Sequence, residues 1–324
     1  MPASSDMPFA HGPCAPRQVA LEQIRMRDPF VYADRTRKLY FLYGTNMETC
    51  DGCANIDPYF DFYVSDDLET FYGPYLCFMP PKGYWGVKHY WAPELHTYQG
   101  RYYLFVSCKG GIGCERGTAV LAADAPEGPF VPLSDGPVTL RGHECLDGTL
   151  LVEKEGAPWI AFCHEWTELY YGKIKALPLK PDLSASLDVP PVTIVDTETD
   201  EIPWIRLMRD DRVAKTGLLT DAPFFHRLPS GKLLMTWSSY SNEAHNGGYV
   251  IAGCVSDSGD IRGPWRHLPE LLLDHDVGHS SLFRDLDGAL RLVSHCNDGQ
   301  HGQEHPIILP VTEDAERIVI QWSR

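Results

Sequence analysis

A short polar-then-apolar segment, Arg27-Asp28-Pro29-Phe30-Val31-Tyr32, returns four more times along the chain, and that recurrence restricts the fold more than any property of the composition. The later copies are Trp91-Ala92-Pro93-Glu94-Leu95, Asp147-Gly148-Thr149-Leu150-Leu151, Asp221-Ala222-Pro223-Phe224-Phe225 and His279-Ser280-Ser281-Leu282-Phe283. A polar turn and an apolar strand follow each one, as in Leu39-Tyr40-Phe41-Leu42-Tyr43. Gly100, Gly156, Gly231 and Gly288 stand in four of those turns, where a tight hairpin requires positive φ; Arg37 takes the place in the first. Three units close on an acidic turn and a Gly-Pro-aromatic step: Gly73-Pro74-Tyr75, Gly128-Pro129-Phe130 and Gly263-Pro264-Trp265. A spacing of roughly 55 to 75 residues is far too short for separate domains, so the copies are blades of one object. The fold predicted is all-β, a single five-bladed β-propeller over residues 20–324 behind an N-terminal segment 1–19. The alternating segment Ile318-Val319-Ile320-Gln321-Trp322 is expected to close the ring by pairing near Val19-Ala20-Leu21.

Composition removes several classes of function. A formal net charge of −16 leaves no basic surface for nucleic acid or an anionic membrane. No apolar run is long enough to span a bilayer. The start Met1-Pro2-Ala3-Ser4-Ser5-Asp6 lacks the basic and apolar regions of a signal peptide, so a cytoplasmic location is expected as written, and an extracellular or periplasmic one if the sequence is trimmed. Ten cysteines in 324 residues are too sparse for a disulfide scaffold; Cys163 and Cys254 fall inside strands, and Cys50-x-x-Cys53 reads as a loop pair. The histidines show no zinc-ligand spacing.

The repeat itself points to chemistry. Asp28, Asp147 and Asp221 open the innermost strands of three blades, which a propeller aims at its central channel. Like charges gathered in one funnel cost stability and shift each other's pKa, a cost that function can justify. One protonated and one ionised carboxyl across a pocket are what glycosidic-bond hydrolysis requires, the acid for the leaving oxygen and the base for water. Aromatic residues at the same rim, Tyr90, Trp91 and Trp166 among them, offer flat faces to sugar rings.

With these residues the chain resembles family 43 of the glycoside hydrolases, five-bladed enzymes acting on arabinose-, xylose- and galactose-containing polysaccharides. Arg27-Asp28-Pro29-Phe30 is similar to the family's first-blade motif, Tyr90-Trp91-Ala92-Pro93-Glu94 to its second, Leu146-Asp147-Gly148-Thr149-Leu150 to its third and Gly278-His279-Ser280-Ser281 to its fifth. The resemblance implies Asp28 as general base, Asp147 as the residue that tunes and orients the acid, and Trp91 facing the sugar. It also implies His279 at the channel bottom, in contact with a calcium ion or its waters in some members, with no cofactor required. Sugar contacts are expected from Trp91, Tyr90, Trp166, His279 and Arg27.

The departure lies in blade four, where the family's acid is typically the glutamate of Glu-Gly-Pro and this chain reads Thr220-Asp221-Ala222-Pro223. Aspartate is one methylene shorter. Asp221 is the first candidate for the acid because of its repeat position; Glu144, in His143-Glu144-Cys145, and Glu165, in Cys163-His164-Glu165-Trp166, are the alternatives. An exo-acting, inverting glycosidase releasing terminal arabinofuranosyl, xylosyl or galactosyl residues is expected. The rival is a propeller that binds carbohydrate and has lost catalysis. The excursion from Pro190 to Gly217 is expected to cover one face, with Trp204 and Arg206 or Arg209 closing one end of the pocket.

Overall fold

The structure, a computed structural model, describes residues 8–47, 50–51, 54–55, 58–211, 214–245, 247–300 and 302–322. Cys53 and His301 lie outside the described residues, and with them the reading of the Cys50-x-x-Cys53 pair. Five antiparallel sheets succeed one another along the chain, and their innermost strands are Met26–Asp34, Lys88–Tyr98, Cys145–Val152, Asp221–Arg227 and Val277–Arg284. These are the five repeated segments. No helix among the described residues is long and apolar enough to cross a membrane.

The apolar residues of the strands sort into five buried clusters, one at each junction between neighbouring blades. Tyr43 and Phe62 of blade one meet Leu104 and Val106 of blade two; Ala161 and Cys163 of blade three meet Met235 and Trp237 of blade four; and Val31 and Tyr40 of blade one meet Phe283 and Val293 of blade five. The larger aliphatic and phenyl side chains among them each contribute about 1.5 to 3 kcal/mol by leaving water, so the ring is held at every seam.

Closure differs from the expectation. Ile318–Ile320 pairs with His305–Glu313 inside blade five, while Arg17–Ala20 adds a fifth strand to blade one by pairing with Thr70–Phe78. The two ends of the chain do not share a sheet. Instead, the seam is sealed by the apolar cluster, by Arg35 donating to the carbonyls of Asp285 and Leu286 (2.8 and 3.1 Å), and by the Met26 N–H donating to the Glu304 carbonyl. Phe9 in the N-terminal segment packs edge-on against Phe62 and Tyr75.

Every innermost strand carries the same irregularity at the axis. One extra residue is inserted between Arg27 and Phe30, Trp91 and Glu94, Leu146 and Thr149, Asp221 and Phe224, and Gly278 and Ser281. The residue that opens each bulge is left-handed: Asp28, Ala92, Asp147, Ala222 and His279 have φ of 52, 45, 53, 52 and 52°. Such a bulge breaks the ladder and turns a side chain toward the axis. It also frees the N–H of that residue, and a neighbouring blade takes it up. Asp28 N–H donates to His295 Nδ1, Ala92 to Thr45 Oγ1, Asp147 to Ser107 Oγ and His279 to Ser238 Oγ, at 3.2, 2.8, 2.9 and 2.9 Å. In the fourth blade Ala222 N–H reaches Asp147 Oδ2 at 3.4 Å. The buried backbone donors at the axis are thus satisfied by side chains.

This register corrects the alignment of blade four. Ala222, not Asp221, is the counterpart of Asp28, Asp147 and His279; Asp221 stands one place earlier, with Arg27, Trp91, Leu146 and Gly278. Two further expectations resolve here. The excursion after blade three folds into a small hairpin, Met208–Asp210 with Lys215–Gly217, at the edge of the central cavity. Trp204, however, is buried against Trp237 in the seam of blades three and four and does not reach that cavity.

Candidate active site

A cavity of about 970 Å³ opens at the axis, lined by Asp28, Asp147, Asp221, Glu165, Glu144 and His279 together with Trp91, Trp166 and the hairpin after blade three. On the side of blades one and five, Asp28 is surrounded by donors. His279 Nδ1 lies 3.1 Å from Asp28 Oδ1, and the Thr45 hydroxyl donates to Oδ2 at 2.6 Å. Burial works against ionisation of this carboxyl, but His279 and Arg27 outweigh it and hold it well below the ordinary carboxylate range. Burial likewise disfavours an imidazolium, yet the Asp28 carboxylate, with the Asp147 carboxyl group behind it, pushes His279 up to about 10. The pair is ionic at neutral pH.

On the side of blades three and four, acids face acids. Asp147 Oδ2 is 3.8 Å from His279 Nδ1, but burial and the adjacent Asp221 drive the Asp147 carboxyl well above its ordinary value, and it shares a hydrogen bond with Asp221. The Tyr249 hydroxyl donates to Asp221 Oδ2 at 2.8 Å. Glu165 follows directly on the second strand of blade three, with its side chain 6 % exposed. Burial raises its carboxyl to about 7, with Asp221 and Glu144 adding to the effect and Arg116 opposing it.

A cationic wall lies above this corner. Lys109 forms an ion pair with Glu144, and the Arg116 guanidinium sits 4.6 Å from the centre of the Trp91 ring. Trp91 stacks with His89 at 4.3 Å and an interplanar angle of 4°. Burial and the charge of Arg116 lower His89 to about 3, so the ring beside Trp91 is neutral.

Most of the residues singled out from the sequence meet in this cavity, with three corrections. Tyr90 is fully buried, donates to the Gly86 carbonyl at 2.7 Å and belongs to the seam of blades one and two, because alternation along the strand points it away from its neighbour Trp91. Glu144 lines the cavity but does not hold a proton: although burial opposes it, hydrogen bonds from Glu115 and Lys109 and the charge of Arg116 bring its carboxyl down to about 2. Arg27 lines the cavity while its guanidinium pairs with Asp298 (2.6 Å) and Glu304 (3.1 Å), so its charge is largely engaged. Thr45, Ser107, Arg116 and Tyr249 went unrecognised. Thr45, Ser107, Ser238 and His295 share a recoverable signal: each pairs with the residue that precedes an axial bulge.

The surroundings of His279 do not fit a directly ligated calcium ion. Calcium takes about six to eight oxygen ligands, whereas Nδ1 of this ring faces the carboxyl groups of Asp28 and Asp147 as a charged donor. Among the described residues, no convergent group of three metal-binding side chains includes His279.

Comparison with known proteins agrees with this geometry. The family model for glycosyl hydrolases family 43 matches residues 20–316. The xylosidase/arabinosidase 43A of Humicola insolens is 33% identical over 82 residues, 25% of this chain and 24% of that protein. The extracellular endo-alpha-(1->5)-L-arabinanase 1 of Bacillus subtilis (strain 168) is 26% identical over 129 residues, 36% of this chain and 39% of that one. These alignments span well under half of either relative. The crystal structure of an endo-arabinase from Bacteroides thetaiotaomicron VPI-5482 superimposes with a TM-score of 0.81 at 36% identity, covering 95% of this chain and 99% of that one.

Proposed function

The chain belongs to glycosyl hydrolase family 43 and is a glycosidase hydrolysing O-glycosyl bonds, and from that premise we propose an exo-acting, inverting enzyme that releases terminal arabinofuranosyl, xylosyl or galactosyl residues from plant-type oligo- or polysaccharides. The observation that carries this reading is the division of one cavity into an ionised corner at Asp28 and a protonated corner at Asp147 and Glu165. Environments that push two carboxyls apart in this way assign a base and an acid. Asp28 takes a proton from water while the water oxygen bonds to the anomeric carbon, and a protonated carboxyl gives its proton to the departing oxygen, so one displacement inverts the centre. Trp91 and Trp166 supply faces for the sugar. Exo action is supported by the hairpin after blade three, whose residues Met208, Arg209, Asp210 and Lys215 wall one side of the cavity.

The test is a screen of 4-nitrophenyl α-L-arabinofuranoside, β-D-xyloside and galactosides, with the anomer of the first product followed by proton NMR. Turnover with inversion is expected; retention of configuration, or sugar binding with no turnover of any glycoside, would overturn the reading. An endo mode on arabinan is the second reading, favoured by the likeness to the Bacteroides endo-arabinase. Linear 1,5-arabinan separates the two, since exo action yields monosaccharide from the outset and endo action yields a ladder of oligosaccharides.

A further inference from the structure

Delivering a proton to the leaving oxygen demands a carboxyl that reaches into the cavity and is not already committed elsewhere. We propose that this catalytic acid is Glu165, supplied by blade three, and that Asp221 of blade four is a positioning residue; the inference rests on the glycosidase reading above and deepens it.

Three features separate the two side chains. The first is reach. Asp221 precedes the axial bulge of its blade and carries one methylene fewer than glutamate, whereas Glu165 projects from the turn between the strand Pro158–His164 and the short helix Trp166–Leu169. The second is commitment. Asp221 Oδ2 accepts the Tyr249 hydroxyl at 2.8 Å, the same carboxyl hydrogen-bonds with Asp147, and ligand atoms of Asp147, Cys163 and Asp221 lie within 4.8 Å of one another. Glu165 occupies the N-cap position of the helix, yet its side chain makes no capping bond. Oε2 accepts only the Thr167 hydroxyl at 3.2 Å, with Arg116 Nη1 at 3.9 Å; Oε1 has no hydrogen-bond partner among the described residues. A carboxyl oxygen on a cavity wall that makes no bond to the protein is free to meet a group that enters the cavity. The third is placement beside the sugar platform, since the next residue, Trp166, lines the same cavity and Trp91 faces it from blade two.

The surroundings fit the task. Arg116 from blade two, Glu144 at the start of the inner strand of blade three, Asp221 from blade four and Thr167 from its own turn face the Glu165 carboxyl; Cys145 and Cys163 stand nearby as thiols whose burial keeps them protonated. The net effect, about 7, leaves the acid protonated near neutral pH and still able to give its proton up. In the reaction the Glu165 O–H proton passes to the glycosidic oxygen as the bond from that oxygen to the anomeric carbon breaks, and the bonding pair stays with the oxygen. Asp28 gains the proton lost by the attacking water. Exchange with solvent then returns both groups to their starting states.

Glu165→Gln and Asp221→Asn, each assayed on phenyl and 2,4-dinitrophenyl glycosides of the sugar that the wild type accepts, distinguish the two assignments. Glu165→Gln is expected to lose about a hundredfold or more on the phenyl glycoside and under about tenfold on the dinitrophenyl one, whose leaving group needs no proton. Its kcat/KM should also lose the alkaline limb near pH 7. Asp221→Asn should lower both substrates by a similar factor and keep that limb. Glu165→Asp, which preserves the ionisable group, should retain the limb and confirm that the site still folds. A leaving-group dependence in Asp221→Asn, or equal losses on both substrates in Glu165→Gln with an unchanged unfolding midpoint, would overturn the assignment. A wild type inactive on every glycoside would instead refute the glycosidase reading on which the assignment stands.

Discussion

Two corners of one cavity bury carboxyl groups to a similar depth and hold them in opposite protonation states. Asp28, between blades one and five, and Asp147 with Glu165, between blades three and four, all leave water almost completely. What differs is the nearest neighbour. His279, Arg27 and the Thr45 hydroxyl face Asp28, whereas Asp221 faces Asp147, and at Glu165 the cation Arg116 is countered by Asp221 and Glu144 on top of complete burial. Desolvation by itself would protonate all of them; the local sign of charge then decides which one ionises. His279, nearer to Asp28 than to Asp147 (3.1 against 3.8 Å), is the element that breaks the symmetry.

The bluntest way to break this division is to remove the ionised member. Asp28→Asn should cut kcat/KM by about a thousandfold or more, within the range for loss of a general base, and should do so equally for good and poor leaving groups. A leaving-group dependence in this variant would mean that the corners have been assigned in reverse.

Next in size is the cation that separates them. His279→Gln should lower kcat/KM by about a hundredfold at pH 6, and the acid limb of the pH profile should move to higher pH, because Asp28 loses the charge that holds its carboxyl down. The same ring carries a stability signature. Its folded pKa, about 10, lies above the ordinary 6.5, so the stabilisation it provides is complete below about pH 6.5 and is lost as pH rises toward 10. Urea unfolding across that window should show wild-type stability falling by a few kcal/mol, on the order expected for such linkage, and a flatter profile for His279→Gln.

A smaller perturbation tests the opposite corner. Arg116 is the cation that most lowers the Glu165 carboxyl among the described residues, so Arg116→Met should move the alkaline limb of kcat/KM upward in pH and leave the acid limb in place. The expected loss at pH 7 is about tenfold, since the guanidinium over Trp91 also supports the sugar platform. If both limbs moved together, the two corners would be one coupled system and the comparison would fail.

The mildest change is Thr45→Val. The hydroxyl bridges Asp28 Oδ2 and the Ala92 N–H at 2.6 and 2.8 Å, and its loss leaves a buried donor unpaired at a cost of about 1 to 3 kcal/mol. A lower unfolding midpoint is expected, with only a few-fold change in kcat/KM. A loss as large as that of His279→Gln would show that the hydroxyl, and not the imidazolium, sets the Asp28 corner.

Much of this site was legible before any coordinates. Asp28, Asp147 and His279 occupy equivalent bulges because a repeat read along the chain is also a repeat around the axis. Asp221 was placed one position out of step, since Asp221-Ala222-Pro223-Phe224 resembles Asp28-Pro29-Phe30 in its letters while the bulge falls one residue later. Tyr90 and Trp91 were taken together as sugar contacts; adjacent residues on a strand face opposite sides, and which side meets the cavity depends on the register with Arg101–Lys109. Glu144 and Glu165 were indistinguishable as letters. Their difference comes first from the deeper burial of Glu165, to which Asp221 adds, and from Glu115, Lys109 and Arg116, which outweigh burial at Glu144, contacts between residues far apart in sequence.

By itself, then, the order of residues determined the all-β class, the five blades, the family and three members of the axial ring, Asp28, Asp147 and His279, because those follow from local alternation and a period that needs no partner to be read. Only the tertiary structure decided how the ring closes, where each bulge falls and which carboxyl keeps its proton. The ends of the chain each add to their own blade and meet across an apolar seam. Protonation follows from charges brought within a few ångströms of one another in a medium of low dielectric, a quantity that exists only once the five blades have been folded around one axis.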